Sequence, residues 1–216
     1  MRRRQLLSLL PSCLALPLLA LPATGQAQGG GAALGAADRA AIARVEAYLN
    51  GLRSLRARFL QIAQNGAAAE GEAFILRPGR MRFDYDPPEP LLLVASGGQF
   101  LLYDRQMKSP STIPVTSTPL SVLLQDNIRL SGAVTVTRVE RGGGFLRVTL
   151  HRTASPSEGR LTLVFQEDPM ELRQWVVVDA QARETRVTLS AIQTGMRLDT
   201  RLFDFNDPRF FEQEQR

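Results

Sequence analysis

The chain has 216 residues, with 26 basic against 21 acidic side chains, one histidine, one cysteine and 44% hydrophobic residues. That is enough apolar material for one domain with a real core. It excludes most thiol and metal chemistry, because Cys13 lies in a segment that reads as removable and leaves no disulfide, thiol nucleophile or thiolate ligand behind it.

Residues 1–27 have the three-part layout of a secretory signal peptide: Arg2, Arg3 and Arg4, an apolar run from Leu6 to Leu21, then small residues at Ala23, Gly25 and Ala27. Cleavage after Gly25 or after Ala27 both fit. Arg3-Arg4 followed by Gln5-Leu6-Leu7 also resembles a twin-arginine signal, so both the general secretory and the twin-arginine route stay open. Pro11, Pro17 and Pro22 break a run already short for the ~20 apolar residues of a membrane span. Leu10-Pro11-Ser12 before Cys13 is a poor lipoprotein-processing box. Three of the 26 basic residues and none of the acidic ones fall in this segment, so the remainder carries a net charge of only +2. No nucleic-acid partner is expected from that balance. The expected organisation is a signal peptide at 1–27, a flexible Gly/Ala lead-in at 28–37 and one domain at 38–216.

Asp38 opens a helical pattern as a candidate N-cap, with Ile42, Val45, Leu49 and Leu52 at helical spacing and Gly51 near its end. Beyond it, alternating segments separated by turn residues predict antiparallel strands at 54–64, 70–77, 80–86, 91–96, 99–106, 133–140, 144–152, 160–167, 172–179, 183–193 and 196–205. Pro78-Gly79, Gly97-Gly98, Gly142 to Gly144 and Asp168-Pro169 supply turns. Pro110, Pro114 and Pro119 preclude a regular central strand in 107–132. Within that stretch Thr118 to Leu124 reads as a short helix, capped by Thr118 with Pro119 in its first turn.

Leu91-Leu92-Leu93-Val94 and Val176-Val177-Val178 are apolar on both faces and need cover on both sides of the sheet. A packed core or a β-sandwich answers that need, and so does a curved sheet whose interior is closed by helices. Pattern alone favours the first.

Several phrases shift the balance. Leu55 to Gln61 carries a Phe and a Gln at set spacing, and Gly71 to Tyr85 reads as strand, Arg-Pro turn, strand. Then come Val94 to Gly98, Leu102-Tyr103-Asp104, Thr118-Pro119-Leu120 before Leu123-Leu124, and Phe203 to Pro208. In order and spacing they resemble the LolA family of lipoprotein carriers, the last phrase its alphaproteobacterial branch. Phe83 and Tyr85 stand where better-known members have a tryptophan, and the chain ends soon after Phe211.

The resemblance implies a mainly β fold, in which a curved antiparallel sheet forms an incomplete, half-open β-barrel beneath an α-helical lid. It implies a lipid cavity lined by Phe59, Phe74, Met81, Phe83, Tyr85, Leu92, Phe100, Leu102 and Trp175. Pro119, Leu120, Leu123 and Leu124 would belong to the lid, and Arg77 would latch lid carbonyls with its five donors. The implied protein is a periplasmic monomer without cofactor or metal. Its implied partners are acylated lipoproteins, an inner-membrane lipoprotein-releasing ABC transporter and an outer-membrane lipoprotein receptor.

Two rivals stand beside this reading. An enzyme would have to work with His151 alone, without a Gly-x-Ser-x-Gly elbow or a His-Glu-x-x-His pair. Asp84, Asp86 and Asp104 read as solvated turn residues. A module that binds free lipid or senses lipoproteins on the same scaffold is the other rival.

Overall fold

A computed structural model describes residues 34–205. The expected signal peptide, most of the expected lead-in and the tail beyond Phe205 lie outside the described residues. Helix α1 spans Ala36–Gly51, its N-cap three residues earlier than the sequence suggests. Gly35 is its N-cap, and Asp38 sits inside the first turn, where its carboxylate accepts a hydrogen bond from the Gly35 amide at 3.1 Å. Asp38 therefore closes the turn from within, which the sequence pattern did not distinguish from a cap.

Eleven strands follow: β1 Ser54–Ala63, β2 Ala68–Leu76, β3 Arg80–Tyr85, β4 Leu91–Ser96, β5 Gln99–Asp104, β6 Ser109–Pro114, β7 Val134–Gly142, β8 Phe145–Arg152, β9 Gly159–Glu167, β10 Met170–Asp179 and β11 Glu184–Thr194. They form one antiparallel sheet in the order β6-β5-β4-β3-β2-β1-β11-β10-β9-β8-β7. One sheet, not two, rules out the sandwich. It is curved and open, with β6 and β7 as its free edges. Register shifts between Arg56 and Arg58, Val136 and Arg138, and Leu172 and Gln174 mark the bulges that bend strands of this kind.

Two segments depart from the sequence reading. Residues 109–114 form an edge strand paired to β5 and are exposed throughout, so Pro110 and Pro114 are tolerated where a central strand would not accept them. Residues 196–205 are not a strand. They contain the 3-10 helix Thr200–Phe203, started by the Asp199 carboxylate, which accepts from the Arg201 amide at 3.0 Å.

The concave face holds the main core. Leu55, Ala57 and Phe59 of β1, Ala73 and Ile75 of β2, Met81 and Phe83 of β3, and Trp175 of β10 pack there beneath Val45 and Leu49 of α1. The 3-10 helix Pro119–Leu124 adds Val122, Leu123 and Leu124 to the same core, with Thr118 accepting from the Leu120 amide at 3.2 Å. Gly71 is required at this face. A Cβ there would lie 2.6 Å from the Phe59 ring and 2.0 Å from the Asp84 carbonyl oxygen. The convex face of β2–β5 carries a second core, Phe74, Leu92, Val94 and Tyr103, covered by Phe203 with Leu198, Leu202 and Phe205.

Candidate functional site

Arg77 lies in the β2–β3 turn and is only 6% exposed. Gly79, with φ +76°, lets the chain reverse immediately after Pro78. The guanidinium is surrounded by backbone acceptors from two covering segments. Its Nη1 donates to the carbonyls of Leu49 and, at 3.1 Å, Leu52, at the C-terminal end of α1, where the Leu49 carbonyl also accepts from the Leu52 amide at 3.2 Å. Its Nε donates to Gln125 O at 3.0 Å, and its Nη2 to Gln125 O at 2.7 Å and Asp126 O at 3.1 Å, just past the Pro119–Leu124 helix.

No carboxylate among the described residues forms an ion pair with Arg77. Asp126 pairs its carboxylate with Arg53 instead, at 2.9 Å. Burial holds the Arg77 pKa below its ordinary value, the neighbouring Arg53 charge lowers it further, and Asp126 opposes both. The turn is also tied by backbone: Arg77 N donates to Arg53 O, and Gly79 N to Leu124 O, each at 2.8 Å.

Beneath the lid the aromatic side chains form a chain of edge-to-face contacts. Phe59 meets Phe83 and Tyr85 at 5.0 Å each, and Phe83 meets Trp175 at 5.9 Å. The Tyr85 hydroxyl donates to Gln61 Oε1 at 2.9 Å. Its pKa is pushed up to about 12, by burial first and the Glu89 charge second, against the lowering effect of that hydrogen bond. At the β5–β6 edge an apolar groove of about 210 Å³ opens to solvent between Leu93, Phe100, Leu102, Ile113, Thr118 and Leu120. Leu102 and Ile113 are 41% and 49% exposed there.

Of the residues expected to line one cavity, the concave face brings together Phe59, Met81, Phe83, Tyr85, Phe100 and Trp175, with Leu102 at its open rim. Phe74 and Leu92 do not belong with them. Both point to the convex core, because strand parity places Phe74 opposite Arg82 and Leu92 opposite Asp84, a residue out of step with Phe83. Pro119, Leu120, Leu123 and Leu124 fall on the short covering helix. Asp84 is not a solvated turn residue: it bridges Arg82 at 2.5 Å and Arg105 at 2.6 Å. His151 lies in β8 with its Nδ1 2.9 Å from the Arg152 carbonyl oxygen.

The model of the family described as outer membrane lipoprotein carrier protein LolA matches residues 50–206. The chain belongs to the LolA family. An outer-membrane lipoprotein carrier protein of Azotobacter vinelandii is 26% identical, over 80% of this chain and 86% of its own length. One from Pseudomonas aeruginosa is 27% identical, over 79% and 86%. Among solved structures, a DUF1329 family protein from Desulfovibrio piger aligns with a TM-score of 0.50 at 10% identity, over 76% of this chain and 95% of its own, a likeness of fold alone. LolA-family relatives are thus named as carriers.

Proposed function

We propose that this LolA-family chain is a periplasmic chaperone for lipoproteins. It receives acylated lipoproteins from an inner-membrane lipoprotein-releasing ABC transporter, hides their acyl chains beneath the lid, and delivers them to the outer membrane, where a lipoprotein receptor accepts them. The observation that carries this reading is the Arg77 latch, which joins both covering segments to a turn beside an apolar concave face. A carrier needs such a device. Each acyl CH₂ removed from water contributes ~0.8 kcal/mol, so an unopposed cavity would never release its cargo. A closed state that gains hydrogen bonds offsets that attraction.

The groove at the β5–β6 edge is smaller than the ~300–1,000 Å³ that encloses a drug-sized ligand. A whole lipid anchor therefore requires space that Val122, Leu123, Leu124, Val45 and Leu49 fill in the closed state. Binding and lid displacement are coupled for that reason. No catalytic role is assigned to any residue.

Affinity isolation of the full precursor's product from the periplasm, with mass spectrometry of what accompanies it and of its own N-terminus, tests this reading. Acylated lipoproteins should co-purify, and the N-terminus should begin after Gly25 or Ala27. Free lipid without protein would assign the chain to a lipid-binding module, and neither would overturn both readings.

A further inference from the structure

Glu46, Asn50 and Arg53 lie at positions i, i+4 and i+7, Glu46 and Asn50 on one stripe of α1 and Arg53 just beyond its C-terminal end. Each meets the irregular segment that follows the Pro119–Leu124 helix. Glu46 Oε1 accepts from the Leu130 amide at 2.6 Å, and Arg53 Nη1 bonds Asp126 Oδ1 at 2.9 Å. Between them Asn50 Nδ2 donates to Ile128 O at 2.9 Å while its Oδ1 accepts from Ile128 N at 2.8 Å. The order 46, 50, 53 meets 130, 128, 126.

The middle contact differs from its neighbours. The Asn50 amide exchanges both bonds with one residue's backbone, as an antiparallel strand neighbour would. Ile128 is 1% exposed, so losing that partner leaves a buried peptide donor and acceptor unmatched. The same Oδ1 also lies 3.4 Å from Arg77 Nη2. One side chain thus touches the helix's own partner segment and the latch together.

We propose that Asn50 is a positioning residue that fastens α1 to residues 126–130 and both to Arg77 in the closed state alone, so that the two segments part from each other and from the latch in one step. This rests on the carrier reading above. Arg77 on its own holds two separate pieces, the α1 carbonyls and the Gln125 and Asp126 carbonyls. Asn50 removes their independence.

The test is a titration of dansyl-undecanoic acid against the wild type, Asn50→Leu, Asn50→Asp, Arg77→Leu and the Asn50→Leu/Arg77→Leu double variant, with thermal unfolding of each protein empty and probe-saturated. Asn50→Leu is expected to bind the probe about five- to tenfold more tightly, the size of a closed-state hydrogen-bond pair. The double variant should gain less than the product of the single effects, because the two residues share one network. Empty Asn50→Leu should melt below the wild type while the probe-saturated proteins melt together, since the contact is absent from the open state. Asn50→Asp keeps the acceptor toward Ile128 N and Arg77 and should lie nearer the wild type. Unchanged probe affinity, fully multiplicative effects, or an equal loss of melting temperature in both states would each reduce Asn50 to a structural residue. If Asn50→Leu does not fold, the cycle of Asn50→Asp with Arg77→Leu decides the matter by the same criterion. Probe binding by none of the variants defeats the carrier reading and this proposal with it, whereas wild-type binding with an unaltered Asn50→Leu defeats the proposal alone.

Discussion

Two buried arginines fasten the two faces of the sheet, and they do so differently. On the concave side Arg77 holds the lid through carbonyl dipoles and an amide, with no carboxylate partner among the described residues. On the convex side Arg82, 5% exposed, holds the C-terminal segment through Leu202 O at 3.2 Å while paired to Asp84, which Arg105 also bonds. Desolvation of a guanidinium is offset best by an opposite charge. The Arg82 fastening has one, and the Arg77 fastening depends on dipoles that leave when the lid leaves. Under the proposed carrier function, the contrast separates a permanent cover from a releasable one, although both use the same residue type.

The largest expected effect lies on the permanent side. Arg82→Leu leaves the Leu202 carbonyl unmatched and Asp84 with one partner fewer, which should destabilise the protein by about 3 kcal/mol. For a domain of this size that is a drop of roughly 6–12 °C in melting temperature. Affinity for an acyl probe, measured under conditions where the variant is folded, should not change. A change would mean that the convex cover also participates in release.

A smaller effect is expected at the open rim of the releasable side. Leu102 is 41% exposed, so Leu102→Ser should alter stability by less than about 0.5 kcal/mol in chemical denaturation. It removes apolar surface from the groove, and probe affinity should fall several-fold, about 1–2 kcal/mol of lost burial. Unaltered affinity would place entry elsewhere.

A further effect, confined to alkaline solution, is a pH dependence of the concave core itself. The Tyr85 hydroxyl ionises at about 12 in the folded protein, against an ordinary value of ~10. Below pH ~10 both states keep the proton, and the stability contributed by the neutral buried phenol is fully present. As pH rises from ~10 toward 12 the unfolded chain ionises first, so that contribution declines and is gone above the folded value. Tyr85→Phe should flatten the alkaline slope of denaturation midpoints, leaving the part due to Tyr48, whose pKa burial also raises.

Much of this organisation is legible in the sequence because the relevant signals are local. Ten of the strands follow from alternation between turn residues, and the short helix from Thr118 and Pro119. The misplaced elements are those decided at long range. Residues 196–205 alternate like a strand, yet β11, which precedes them in the chain, offers them no open side because it already pairs with β10 and β1, and their apolar side chains cover Phe74 and Leu92 instead. The family resemblance implies a cavity that holds both Phe74 and Phe83. Only the register, which sets Ala73 opposite Phe83, shows that Phe74 faces away. The Arg-Pro turn signals Arg77, but nothing in Glu46, Asn50 and Arg53 announces that they read residues 126–130, because that pairing spans more than 70 residues.

The central claim is that Arg77 stabilises the closed, empty state against cargo. Its most direct measurement is the amount of lipoprotein retained by Arg77→Leu and Arg77→Lys in a periplasmic pull-down, with folding verified for each. Loss of charged hydrogen bonds, about 1.5–3 kcal/mol, should increase retention at least about tenfold in Arg77→Leu. Arg77→Lys should fall between that variant and the wild type, because a point charge cannot reach carbonyls on both segments as the planar fork does. Retention no greater than wild type in a folded Arg77→Leu would contradict the account and leave Arg77 a structural turn residue.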